Sequence, residues 1–336
     1  MLVPFAIDVG SLNPDQAWTP AQQRACHKNL LDVWKRIGLL AYDGSTFDGS
    51  RLKQAVSQLP QSLRPLWQEV LERVPLTAGG PNWNGTVSPA TIQGLAAVQL
   101  AIVDDTCAEV EFGFSDDCDE QVHPLGNGQS VDICRMLTAN HARAFVTAIE
   151  QSGTHVEIGT TFQSIWDSRF KSLASAPMKQ ISVVDRYAIE RHHEPSAQTG
   201  LSGLERFIRL LDAGATGPRH VTLYSTWTER FRGKSIDDVA DELRPIAERL
   251  SAKNIKRIKI YMVPNTGGFR DDGHDRFVRF GDYVWDIGLG LEIFEGAFSS
   301  KKSSASFKSG AAVASYRQVE QDLSTNAGTK SKEINL

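Results

Sequence analysis

From Lys179 onward, short apolar runs alternate with amphipathic stretches at a spacing that leaves little freedom of fold. Ile181–Val184, His220–Tyr224 and Arg257–Val263 read as strands, and Leu201–Leu211 and Ile236–Leu250, 11 and 15 residues long, read as helices between them. Strands joined through helices of that length need crossover connections, which lay them in a largely parallel sheet with helices on its faces. A hairpin over Phe277–Ile287 follows. Beyond Ser299 the composition shifts to Ser, Lys, Ala and Gly. One helix near Ala311–Leu323 fits that stretch, and the last dozen residues read as a disordered tail.

The first half carries a second set of elements. Val3–Val9 is an apolar run that contains Asp8 and meets Gly10-Ser11, the pattern of a buried strand and turn. Thr19-Pro20 opens a helix that runs through Leu30, Leu31 and Trp34 to Gly38, with threonine as the cap and proline in the first turn. Leu39–Tyr42 predicts a short strand, Arg51–Leu59 and Leu63–Val74 predict helices, and a further helix is expected from about Pro89. Val98–Val103 is a second buried strand, closed by Asp104-Asp105, and a helix runs through Leu137–Glu150. Phe162, Ile165, Trp166 and Phe170 recur at helical spacing within 158–171.

A chain of 336 residues is long enough for two cores. The resulting expectation is an α/β protein of two domains: an N-terminal α/β domain over 1–157, a connecting helix over 158–178, a second α/β domain over 179–299, and a C-terminal helix and tail over 300–336. A net charge of −4 argues against bulk electrostatic attachment to nucleic acid or acidic membrane, although clefts can still focus a local field. No apolar run approaches the roughly 20 residues of a transmembrane helix. The start lacks the basic n-region of a signal peptide. The four cysteines form no CxxC pair. A cytoplasmic setting is the expectation.

The chemistry is densest at the hairpin. His274 and Arg276 stand two residues apart, so an extended strand points both to one face. The pair suits phosphate: the imidazole can attack or donate a proton, and the guanidinium offers a bidentate fork to the oxygens. The stretch from His274 to Gly288 resembles the active-site motif of the phospholipase D superfamily, histidine-x-lysine-x(4)-aspartate followed by glycine-serine. His274 matches the histidine and Gly288 the glycine. Arg276 stands where lysine is expected, Gly281 where the aspartate belongs with Asp282 one place late, and Leu289 where the small hydroxyl residue belongs. Asp286 lies where some single-motif nucleases carry a glutamate. The resemblance spans about 179–295 and implies a phospholipase D-like α/β sandwich with a mixed, largely parallel sheet. It makes His274 the nucleophile or acid, with Arg276 and Asp286 beside it. Since one motif copy is visible, a two-histidine mechanism implies a homodimer. A closer resemblance is to degenerate members, including the C-terminal domain of MIT-domain proteins, which bind phospholipid rather than cleave it. A structural histidine at a strand start is the plain alternative.

Asp185-Arg186-Tyr187 and Glu190-Arg191-His192-His193 follow the first strand of this half. Ligands of open sheets bind at the carboxyl ends of strands, so Arg186, Arg191 and His192 are candidate substrate-binding residues. A solvated loop of mixed charge explains them equally well.

In the first half, Asp8 and the pair Asp104-Asp105 end buried strands. Carboxylates converging at strand ends hold Mg²⁺ or Mn²⁺ in many phosphodiester-cleaving enzymes, because hard cations take oxygen ligands. The opening strand, early aspartate and following helix resemble PIN-like nucleases, in which an acidic residue on a helix completes the site. Here Glu69 and Glu72, on the helix expected over Leu63–Val74, suit the role. Caps and turns are the ordinary work of such aspartates.

Two functions follow. One is a phosphodiester-acting nuclease or effector, similar to bacterial defence effectors that join nuclease-like domains, with nucleic acid as partner and a substrate-gripping second domain. The other is a non-catalytic module that binds a phosphate-bearing ligand or a partner protein.

Overall fold

Two sheets, of six and seven strands, organise the chain into two compact units, Leu2–Gln151 and Ser152–Leu336, the second also taking in Met1. The computed structural model describes residues 1–13, 18–80, 82–95, 98–125, 128–193, 200–265, 269 and 276–336. Both sheets are mixed and carry helices, so the chain is α/β.

The first unit runs β1 (Val3–Ile7), α1 (Pro20–Ile37), β2 (Gly38–Tyr42), α2 (Arg51–Gln58), α3 (Arg64–Arg73), β3 (Leu76–Ala78), β4 (Leu100–Val103), α4 (Asp105–Phe112), β5 (Glu120–Pro124), β6 (Ser130–Arg135) and α5 (Arg143–Gln151). The strand order is β3-β2-β1-β4-β6-β5, parallel except for β5. α1 starts where its chemistry dictates. The Thr19 side chain accepts from the Gln22 amide while Gln22 reaches back to Thr19, and Pro20 needs no amide partner. Its apolar face of Leu30, Leu31, Trp34 and Ile37 is buried. It stops at Gly38, where any side chain would come within 2.8 Å of the Trp34 backbone and the Phe5 ring. Phe5 packs edge-on against Trp34 and Phe145 at 6.0 and 5.4 Å, and all three are fully buried. Truncating such a side chain to alanine costs about 3–5 kcal/mol.

Among the described residues, the stretch from Pro89 holds a 3-10 turn, Ile92–Gly94, where a helix was expected. α4 was not foreseen, because it buries only Ala108 and so lacks an apolar stripe.

The second unit opens with α6 (Phe162–Ile165), which passes through a π-helical turn at Trp166–Phe170 into α7 (Lys171–Ser175). Then come β7 (Gln180–Asp185), α8 (Ala188–His192), α9 (Gly203–Gly214), β8 (Arg219–Thr226), α10 (Ile236–Glu248), β9 (Ile255–Val263), β10 (Arg276–Phe280), β11 (Tyr283–Ile287), β12 (Ala305–Ser309), α11 (Val313–Thr325) and β13 (Lys330–Asn335). The expected connecting helix belongs to this unit's core: Phe170 meets Phe207 and Phe294 at 5.9 and 5.4 Å.

Three expectations for this unit need correction. The sheet, ordered β12-β11-β10-β7-β8-β9-β13, is parallel only across β7, β8 and β9; the four outer strands run antiparallel. β10, laid antiparallel beside β7, starts that departure, and Gly281, at φ +56°, then reverses the chain into the β10–β11 hairpin. The tail is also ordered, because Lys330–Asn335 pairs along β9 and buries Ile334. The 300–336 region adds β12 as well. An edge strand exposing nearly every residue reads from composition like a tail. α11 covers one sheet face, where Val313, Tyr316 and Leu323 pack on Val184, Tyr224, Phe277 and Val284. Among the described residues no helix is long and apolar enough to cross a membrane.

Candidate functional site

In the first unit, β1 is followed by its neighbour β2 on one side, and the chain later returns to β4 on the other. The carboxyl ends of β1 and β4 therefore form the topological switch point, where open α/β sheets leave a crevice. A cavity of about 310 Å³ opens there, lined by residues that include Ser11, Trp18, His27, Asp104, Asp105 and Met136.

Asp8 leaves β1 with its backbone N–H donating to Ile102 on β4 at 2.8 Å. Its carboxylate accepts the amides of Val87 and Gly10, yet Oδ1 is buried with no hydrogen-bond partner among the described residues. Burial pushes its pKa from 3.8 up to about 6, and the neighbouring Asp104 charge adds to the rise. Asp104 leaves β4 as the cap of α4, its Oδ1 accepting the Cys107 amide at 2.7 Å, while its own amide donates to Ser11 Oγ at 2.6 Å. Cys107 stands by as a neutral thiol, pushed up to about 12 by burial and by Asp8 and Asp104.

Two hard oxygen donors repelling each other, one with an orphaned buried oxygen, fit Mg²⁺ or Mn²⁺. Among the described residues no group of three His, Cys, Asp or Glu could hold a metal ion, so water or ligand oxygens would have to complete its shell. Two of the expected metal ligands do not join. Asp105 accepts from Arg135 Nη1 at 2.9 Å, and that guanidinium, 7% exposed, also holds Glu109 and the carbonyls of Cys118 and Ser115. Glu69 lies exposed on α3, 3.5 Å from Lys35 and 3.6 Å from Arg73, because the helix turns Trp67 and Val70 inward instead.

In the second unit, His274 lies outside the described residues. Arg276 pairs with Asp185 across β10 and β7, so both point to one face. The hairpin register sets Asp286 opposite Phe277, which puts it on the other face, where Tyr316 of α11 donates to it at 2.8 Å. Asp282 pairs with Arg317 of the same helix. Neither carboxylate can serve Arg276. Arg191 is held by Glu292, and His192 Nδ1 meets Ser202 Oγ at 2.7 Å, so both act in packing α8 against its neighbours. Burial keeps the His192 pKa low.

Arg186 does join Arg276: both guanidinium carbons lie 5.5 Å from the Tyr187 ring. Arg186 donates to Asn265 at 3.0 Å and Arg276 to the Gly288 carbonyl at 2.8 Å. Beneath them Asp185, which the sequence places in the same cluster without assigning it a role, accepts the amides of Tyr187 and Leu291 at 3.1 and 2.7 Å. Burial raises its pKa against the pull of those amides, Arg276 and Arg191. Gly290 is required at φ +56°, since a Cβ would sit 2.2 Å from Asp185 Oδ2.

No protein-family model matches the chain, and no curated protein matches it. Ser11 and His27 were the other residues missed. The Gly10-Ser11 turn after Asp8 could have flagged the first; His27 shares the apolar face of α1 and reads as core.

Proposed function

We propose that the first unit hydrolyses phosphate esters, with nucleic-acid phosphodiesters as the substrate class, through a divalent cation held by Asp8 and Asp104. The carrying observation is Asp8 itself: a buried carboxylate with one orphaned oxygen, within electrostatic reach of Asp104, which lines the cavity at the switch point. Net reaction is addition of water across a P–O ester bond, giving an alcohol and a phosphate with one ester fewer. When bound, Mg²⁺ or Mn²⁺ would polarise the phosphoryl oxygens and lower the pKa of a bound water. Asp8 and Asp104 supply its ligands. The Val87 and Gly10 amides aim one carboxylate, and the Cys107 amide aims the other. Ser11, which accepts the Asp104 amide, keeps its hydroxyl proton for a ligand oxygen. The likeness to PIN-like nucleases supports this assignment at Asp8 and Asp104 and departs from it at Glu69.

Hydrolysis of bis-p-nitrophenyl phosphate and of single-stranded oligonucleotides, assayed with and without Mn²⁺, tests the proposal. Asp8→Asn and Asp104→Asn should each lower the metal-dependent rate by more than the roughly 10–100-fold typical of second-shell changes. Activity that survives both substitutions removes the site.

For the second unit we propose phosphate binding without catalysis, in the manner of degenerate phospholipase D-like domains. Support comes from two guanidinium groups around one tyrosine ring, each with a buried Nε that has no partner among the described residues, and from the turning of Asp282 and Asp286 toward α11.

A further inference from the structure

α1 carries one imidazole on its apolar face. His27 is 2% exposed, yet it forms part of the wall of the cavity that holds Asp104 and Ser11. The indole N–H of Trp67 on α3 donates to His27 Nδ1 at 3.0 Å, and the rings meet edge-on at 76°. An indole nitrogen is only ever a donor, so Nδ1 must be the acceptor and the ring proton of the neutral imidazole must sit on Nε2. The tautomer is thus fixed by the partner's chemistry, whereas most histidines leave it ambiguous. Among the described residues nothing accepts from Nε2.

We infer that His27 is a specificity-determining residue of this cavity: its Nε2–H is a fixed, uncharged donor for an acceptor oxygen of the bound ligand, and Trp67 is the positioning residue that sets its polarity. The inference rests on the phosphate-ester reading of the same cavity and adds a ligand contact to it. His27 cannot be the general base, because one ring nitrogen is committed to Trp67 and the other already carries the proton. Burial holds its pKa down at about 4, so the ring is neutral at physiological pH. An imidazolium there would compete with a cation for Asp104, which lines the same wall. A neutral donor leaves that carboxylate to the cation and still binds phosphoryl, sugar or carbonyl oxygen.

The experiment uses the full chain labelled with ¹⁵N-histidine. Ring nitrogen shifts should show His27 as the neutral Nε2–H form, and the Nε2–H resonance should move when inorganic phosphate or uridine monophosphate is added with Mg²⁺. The two probes separate a phosphate contact from a nucleoside contact. In the bis-p-nitrophenyl phosphate assay, His27→Phe should lower kcat/KM roughly tenfold, the effect of one lost donor. His27→Gln, whose amide N–H falls near the Nε2 position, should retain activity within about threefold of the parent by the same measure. Trp67→Phe removes the donor that sets the ring's polarity, so the His27 nitrogen shifts in that variant should move from the pure Nε2–H form toward a mixture of the two neutral tautomers. A proton found on Nδ1 of the parent, an Nε2–H that ignores both probes, or equal losses in the glutamine and phenylalanine variants would each overturn the assignment. If the parent hydrolyses nothing, the phosphate-ester proposal fails, and the NMR titrations alone then decide the role of His27.

Discussion

Replacing Asp8 with asparagine should stabilise the first unit at neutral pH, because a carboxylate kept for a cation is a liability without one. The Asp8 carboxyl rises from 3.8 to about 6 on folding, chiefly through burial. Each pH unit of such a difference is worth 1.36 kcal/mol, so ionising Asp8 in the native state costs roughly 3 kcal/mol. The sign follows from proton binding. The native state holds this proton more tightly than the unfolded chain, so the contribution to stability is complete below about pH 4. It is lost as pH rises through about 6. Asparagine keeps one oxygen to accept from Val87 and Gly10 and places an NH₂ where Oδ1 now has no partner. Asp8→Asn should therefore gain about 1–3 kcal/mol over the parent at pH 7.5 and almost nothing at pH 4. Because the chain has two units, the readout should be local: hydrogen exchange of β1 and β4 peptides across a urea series. Mn²⁺ at a hundredfold excess over its Kd should restore about 2.7 kcal/mol to the parent at pH 7.5 and nothing to the variant. An Asp8→Asn protein less stable than its parent at both pH values would show that Asp8 is a structural cap, and the reasoning would be refuted.

Other consequences are sharp enough to check. Arg186→Ala and Arg276→Ala should each weaken binding of a single-stranded oligonucleotide by roughly 10–100-fold in fluorescence anisotropy, the value of a charge-assisted contact; unchanged affinity in both would dismiss the second-unit site. Gly290→Ala should destabilise the second unit by about 2–4 kcal/mol in urea titrations, combining left-handed strain with displacement of the Asp185 carboxylate. A neutral result there would mean the Asp185 contact is not formed. Ile334→Asp should loosen β13 and raise exchange along β9, whereas a free tail would be indifferent to it.

The sequence is most legible where one residue has one job. Thr19-Pro20 and Gly38 bound α1 because capping and close approach admit few alternatives, and β7, β8 and β9 are marked because buried apolar residues recur along each at strand spacing: Ile181 and Val183, Val221 and Leu223, and Ile258, Ile260 and Met262. Edge strands β5, β12 and β13 were not legible, since a strand with one neighbour and little burial has no pattern to show. The same division holds at the sites. Asp8 and Asp104 are visible as the last residues of apolar runs. Glu69 misleads because a helix phase, set by Trp67 and Val70, decides its direction. Asp105 misleads because its partner Arg135 arrives from β6. Asp286 is excluded by parity: a two-residue turn at Gly281-Asp282 fixes the register that sends it to the opposite face from Arg276.

Mn²⁺ binding to the full chain, followed by electron paramagnetic resonance at pH 7.5, tests the cation site most directly. The parent should bind one ion through Asp8 and Asp104, Asp8→Asn and Asp104→Asn should lose it, and Glu69→Gln should keep it. Retention of the ion by both aspartate variants, or no binding by the parent, would contradict the account.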